Sequence, residues 1–162
     1  MTEQKRVVAS QADPREEARV LRARLEAVQD ISKALATALP LDLLLNVVMD
    51  KITRLMNAER STLFLLNPDT GVLTSKVALT NSTEPLQIRL ELGEGVAGWV
   101  AMTGETVNIG DSYTDERFTP QVDYGTGFIT HSMLCMPLWN LQGATMGVIQ
   151  VLNKRDGQFS RD

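Results

Sequence analysis

Few residues of this sequence can do covalent chemistry, whereas several can hold a small molecule. The chain contains one His and one Cys. His131 has no nucleophile or acid at a catalytic spacing, and a single His at the entry of a strand is usually structural. Cys135 lies in "MLCMP", flanked by apolar residues, and reads as a small buried hydrophobe rather than a reactive thiol. With so few nitrogen and sulfur ligands, a protein-built zinc site is not expected. Asp111, Asp115 and Glu116 read as an exposed acidic loop rather than a metal cage. Two other stretches offer directed hydrogen bonds. "GEGVAG" (93–98) sets glycines at a helix start, where backbone N–H groups can face a phosphate or another anion. It lacks the Lys-Ser/Thr of a P-loop and the dinucleotide fingerprint. "VDYGTGFIT" (122–130) supplies Asp123, Thr126 and Thr130 after a long irregular connection, and such connections are often functional. Converging over one face of a sheet, the two stretches would make a small-ligand pocket, a few polar groups above an apolar floor. Composition by itself equally allows Thr126 and Thr130 to be turn and strand-cap residues.

The elements that must position these stretches follow from period and punctuation. Asp13 caps a helix, Pro14 suits its first turn, and Glu16 stands three residues after the cap. The helix is expected over 14–39. Leu21, Leu25, Val28, Ser32, Leu35 and Leu39 alternate steps of four and three, a heptad seam that favours pairing with a second copy of itself. Pro40 breaks the pattern. A second helix, Leu41 to Asn57, carries Leu44, Val47, Val48, Lys51, Ile52 and Leu55 at the helical period and is expected to cover a sheet. Then the period drops to two. "RSTLFLLN" (60–67) and "VLTSKVAL" (72–79) flank the turn "PDTG" as a hairpin. "LQIRLEL" (86–92) alternates with Leu86, Ile88, Leu90 and Leu92 inward. A short helix from Val96 to Met102 stops at Gly104. "TVNI", "HSMLCMPL" and "TMGVIQVLNK" complete six strands. None of the connections demands a parallel crossover. The fold class is therefore α+β, an antiparallel sheet with helices on one face and a loop-built cover on the other.

Whole-chain properties narrow the partners. The chain has 162 residues, enough for one domain with a core and an appendage. Its net charge is -4, and its sixteen Lys and Arg are scattered among acids, so there is no basic stripe for nucleic acid. No stretch has the roughly 18 apolar residues of a membrane span, and the polar N-terminus lacks a signal-peptide core. One Cys excludes a disulfide within the chain and fits a reducing compartment. A cytoplasmic location is expected.

Four segments carry a family resemblance: "AERSTLFLLN", "IRLELGEGVAGWVAMTGETVNI", "DERFTPQVDYGTGFITHSMLCMPL" and "GVIQVLNKRDGQFSRD". Together they resemble the GAF domain family, closest to its subgroup in cyclic-nucleotide phosphodiesterases and cyanobacterial-type adenylyl cyclases. The resemblance implies a six-stranded antiparallel sheet with helices on one face and a ligand pocket on the other. It also implies a regulatory sensor, without catalysis of its own, that is homodimeric through N-terminal helices and controls an output domain in a longer chain. On that reading residues 1–13 are a disordered lead-in, 14–39 the dimer helix and 40–162 the GAF domain. The alternative is a GAF module for dimerisation and protein interaction, with a different small ligand or none. Two enzymatic or photochemical variants are set aside: free methionine sulfoxide reduction needs several cysteines, and a bilin site needs a Cys beside the pocket.

Residue by residue, the resemblance places Arg60 and Thr62 on the first strand facing the ligand, cyclic AMP or cyclic GMP in the subgroup. Val96 and Ala97 match the helix start that holds the cyclic phosphate. Asp123, Thr126 and Thr130 match lid contacts to base and phosphate, and Gln150 stands where Glu is frequent. Asn153, Lys154 and Phe159 match a motif that continues with an Asp-Glu pair, which falls beyond Asp162. The chain is thus expected to be a segment that lacks the last helix. Ala78 and Leu79 replace a Phe-Asp pair that stacks on and reads the purine in some members, and Thr119 replaces an aromatic. The phosphate side is kept and the base side weakened.

Overall fold

The computed structural model describes residues 13–36, 40–78 and 87–160. The expected lead-in at 1–12, the helix end at 37–39 and Leu79 lie outside the described residues. Helix α1 runs Pro14–Ala36. Asp13 caps it twice, its carbonyl accepting from the Glu16 and Glu17 N–H groups and its carboxylate from the Arg15 N–H at 3.0 Å. Glu16 does not close a capping box but pairs with Arg19 at 2.7 Å. Among the described residues no helix is long and apolar enough to cross a membrane.

Helix α2 runs Leu41–Leu55 and shows two working faces. The residues against the sheet are Met49 and Thr53, both buried, with Leu45, Ile52 and Met56 beside them. This corrects the expected face, because Lys51 turns to α1 and pairs with Asp30 at 2.7 Å, while Leu55 is exposed. Thr53 is tolerated in the core because its hydroxyl donates to the Met49 carbonyl at 2.8 Å and meets the Ser61 hydroxyl at 2.5 Å. Among the described side chains of α1 only Ala27 is buried, and the seam residues Leu21, Leu25 and Val28 stay exposed. The helix pair therefore leaves Leu21, Leu25 and Val28 of the heptad stripe without intrachain cover among the described residues.

Six strands follow: β1 Ala58–Asn67, β2 Val72–Ala78, β3 Arg89–Glu91, β4 Val107–Ile109, β5 Met133–Trp139 and β6 Thr145–Lys154. They form one sheet of order β3-β2-β1-β6-β5-β4 in which every neighbouring pair is antiparallel. Of the strand expected at 86–92, Leu86 lies outside the described residues, β3 spans Arg89–Glu91, and Leu92 enters a turn and is exposed while its N–H still donates to the Gly71 carbonyl at 3.2 Å. Helix α3, Gly95–Thr103, ends at Gly104 in the left-handed region, φ 72°. The stretch read as irregular, 111–124, instead contains a 3₁₀ turn at Ser112–Thr114 and most of helix α4, Gln121–Thr126.

The apolar runs of β1, β5 and β6 are near-continuous because both sheet faces are covered. Leu63, Leu134, Val151 and Ile149 face α2, while Phe64, Cys135 and Val148 face α3. Each fully buried side chain such as Phe64 or Val148 contributes about 1.5–3 kcal/mol. Helix α3 lies close because Gly98 has no Cβ, which would run into the Glu91 carbonyl oxygen. That contact fixes the N-terminus of α3 over the sheet beside β3.

Candidate functional site

Alternation along two central strands builds a floor. Arg60, Thr62 and Phe64 of β1 point to one face, and Gln150 and Leu152 of β6 lie beside them. Thr62 pairs directly with Gln150 and Arg60 with Leu152 across the ladder. Ile88, Leu90 and the start of α3 make one wall, and residues 118–130 make a roof. The enclosed cavity measures about 100 Å³. Ligand pockets commonly hold roughly 300–1,000 Å³, so a ligand of nucleotide size enters only when the roof shifts.

All eight residues expected at a ligand line this one cavity: Arg60, Thr62, Val96, Ala97, Asp123, Thr126, Thr130 and Gln150. They divide by what their polar groups are doing. The first N–H groups of α3, Gly95 to Ala97, have no preceding turn of helix to bond them, and Glu94 provides no side-chain cap. Arg60 has its guanidinium 3.9 Å above the centre of the Phe128 ring. Among the described residues it makes neither an ion pair nor a hydrogen bond. Gln150 donates one N–H toward the Met133 sulfur at 2.9 Å and keeps its amide oxygen for other use.

The roof groups are already engaged. Asp123, 6% exposed, accepts the Thr130 hydroxyl at 2.7 Å and the Thr130 N–H at 2.7 Å. It also accepts the Tyr113 hydroxyl at 3.1 Å. Burial first, and this carboxylate second, push the Tyr113 pKa above its ordinary value. Thr126 donates to the Val122 carbonyl at 2.8 Å and closes the end of α4. Asp123, Thr126 and Thr130 are therefore latched to the roof itself before any ligand arrives. On the opposite side the roof is tied by Arg117, which pairs with Asp115 at 2.7 Å and lies 4.6 Å above the Trp99 ring of α3. The hydrogen bond from Arg117 is the main reason Asp115 sits below the usual carboxylate range.

None of the three motif residues lines the cavity; Asn153 holds its roof, while Lys154 and Phe159 lie toward α2 on the other face of the sheet. Asn153, at φ 55°, accepts the His131 N–H at 2.7 Å and the Ser132 N–H at 3.3 Å. It donates to the Ile129 carbonyl at 2.8 Å and to Glu59 at 3.0 Å. The Lys154 ammonium reaches the Met56 carbonyl at 2.7 Å, at the C-terminal end of α2, where a cation is favoured. Phe159 packs with Ala58, Leu134 and Val151 on the helix-covered face. Cys135 is fully buried, and burial pushes its thiol far up, so it offers no nucleophile in this fold.

Sequence reasoning missed the aromatic lining. Thr119 does line the cavity, but so does its neighbour Phe118, which meets Tyr113 edge-on at 5.1 Å. Phe128 was hidden between Thr126 and Thr130; the helix at 121–126 and its left-handed stop at Gly127 are what turn its ring toward Arg60. The side chain of Ala78 and the whole of Leu79 lie outside the described residues.

Comparison with known proteins agrees with this geometry. The family described as GAF domain matches residues 40–162. A probable 3',5'-cyclic phosphodiesterase of Caenorhabditis elegans is 37% identical over 131 residues, 75% of this chain and 18% of that protein. A dual 3',5'-cyclic-AMP and -GMP phosphodiesterase of Drosophila melanogaster is 35% identical over 147 residues, 82% of this chain and 10% of that protein. The chain thus spans less than a fifth of these relatives. Among solved structures, the GAF domain of a phosphoenolpyruvate-protein phosphotransferase from Coxiella burnetii superposes with a TM-score of 0.74 at 21% identity, covering 88% of this chain and 83% of that one.

The four bonds of Asn153 make it a position sensitive to truncation. Asn153→Ala removes them, strands the His131 N–H in a half-buried site, and leaves a non-Gly residue without side-chain support at positive φ. We expect a loss of about 2–4 kcal/mol in urea unfolding. A loss below about 0.5 kcal/mol would mean that the roof is not held from this strand.

Proposed function

This chain belongs to the GAF domain family, and from that membership we propose that it is the regulatory small-molecule sensor of a longer signalling protein, with a cyclic nucleotide as its ligand. The observation that carries the reading is the division of polar groups around the cavity. Among the groups left open, the N–H groups of α3 are donors and the Arg60 guanidinium is a cation, with the Gln150 amide oxygen as an acceptor beside them. The Asp123 carboxylate of the roof is taken by the roof's own donors, Thr130 and Tyr113. A cavity of that polarity suits an anion, and a helix N-terminus suits a phosphate in particular. Val96 and Ala97 hold the cyclic phosphate, Thr62 and Gln150 touch the middle of the ligand, and Asp123 with Thr130 shapes the lid above it. The relatives named as cyclic phosphodiesterases support the ligand class.

The output domain lies elsewhere in the parent chain, and this domain performs no reaction of its own. The signal passes through α1. Its exposed Leu21, Leu25 and Val28 pair with the same stripe of a second copy in the cytoplasm, so that a change in the roof or sheet reaches the partner through the α1–α2 contact. One observation favours a second reading, dimerisation without a ligand: Asp123, Thr126 and Thr130 need no ligand to satisfy their hydrogen bonds.

Thermal unfolding separates the two. Cyclic AMP or cyclic GMP at about 100 times its Kd should raise Tm by roughly 5–10 °C. No rise at millimolar nucleotide favours the ligand-free module. The dimer is tested separately by Leu25→Glu. It is expected to weaken self-association in sedimentation equilibrium by about 10-fold or more while leaving ligand affinity unchanged.

A further inference from the structure

Donors stand at both ends of the cavity. Phe64 packs in one cluster with Val96 and Ala97, beneath the start of α3. Along the same face of β1, Arg60 stands four residues away, about 13 Å at ~3.3 Å per residue. That span matches a mononucleotide from its phosphate to the far edge of its base. We propose that Arg60 reads that far edge and selects purines presenting a carbonyl oxygen beside a ring nitrogen over purines presenting an amino group. The inference rests on the reading that the phosphate sits at α3.

The chemistry follows from the way Arg60 is held. Phe128 takes one face of the guanidinium at 3.9 Å. A stacked guanidinium keeps its N–H donors in its own plane, pointing past the ring. None of them is used by another described residue. Arg has no acceptor and cannot lose its proton in a protein, so its demand is fixed. A purine with a 6-keto group offers O6 and N7 side by side, the pair that a guanidinium fork bonds bidentately. A 6-amino purine offers N7 alone and turns an N–H toward a cation. The other polar residues of the floor do not discriminate. The Thr62 hydroxyl donates or accepts, and the Gln150 amide presents either its oxygen or its nitrogen by turning over. Arg60 is thus the group of the described floor whose hydrogen-bond sense cannot be reversed. It also supplies what the sequence lacks at Ala78 and Leu79, a base reader, from a different strand.

The experiment is titration calorimetry of the chain with cyclic GMP, cyclic IMP and cyclic AMP. Cyclic IMP carries O6 and N7 without the 2-amino group and isolates the proposed contact. Cyclic GMP and cyclic IMP should bind within a few-fold of each other, and cyclic AMP about 5- to 150-fold more weakly. Arg60→Met should collapse that ratio toward one while changing cyclic AMP affinity by only a few-fold. Arg60→Lys, which keeps the charge without the fork, should lose most of the ratio and serves as the folding control. Equal binding of all three by the unmodified chain overturns the inference but leaves the sensor reading standing. So does a uniform loss in Arg60→Met, which would put Arg60 on the phosphate. Binding of none of the three overturns both.

Discussion

One side-chain amide, that of Asn153, joins the roof of the cavity to the sheet below it. An amide has two donor hydrogens and an oxygen with two lone pairs, and all four are used here, on His131, Ser132, Ile129 and Glu59. No other residue type fits the position as well. Asp has no donor for the Ile129 carbonyl and would face Glu59 with like charge. Gln carries the same groups one bond further out. The backbone at φ 55° adds a second demand, since Asn tolerates the left-handed region better than most residues with a side chain. The last strand thereby sets the height at which residues 129–132 enter β5, and with it the closure of the cavity.

From that anchor the roof organises itself. Thr130 bonds Asp123 through both hydroxyl and backbone, Tyr113 adds a third donor to the same carboxylate, and Thr126 ends α4. These bonds hold the roof together from within. The floor is built on the opposite principle. Its strands are buried on both faces, so the sheet is rigid, while the groups it turns to the cavity keep unused hydrogen-bonding capacity. A rigid floor with open donors beneath a self-contained lid is an arrangement in which a ligand can order or displace the lid without disturbing the core. The α1–α2 pair lies on the far side of that core, linked to it through Met49, Thr53 and their contacts with β1.

Much of this was legible in the residues. Period two along β1, β5 and β6, the turn at 68–71 and the stop at Gly104 all express backbone sterics or side-chain polarity at fixed spacing. The cavity residues were legible through the family motif, and all eight do line one site. What was not legible depended on tertiary contact. The sheet-facing side of α2 was misjudged because Lys51 follows the helical period yet serves α1, whereas Thr53 looks polar but is satisfied inside. Helix α4 escaped notice because Gly125 and Gly127 read as turn residues, although Pro120 before it and Gly127 after it are also sound helix boundaries. The stacking of Arg60 on Phe128 joins residues far apart in sequence, so no local pattern announces it.

Hydrogen exchange offers a residue-level view of the whole account. In the presence of saturating cyclic nucleotide, the amides of Gly95 to Ala97 should gain protection because they bond the phosphate. Those of residues 127–130 should gain it as well, because the lid closes over the ligand. Amides of the sheet core, already slow, should change little. Binding of the nucleotide with no added protection at the start of α3 would contradict the account, because the anion would then be held somewhere else.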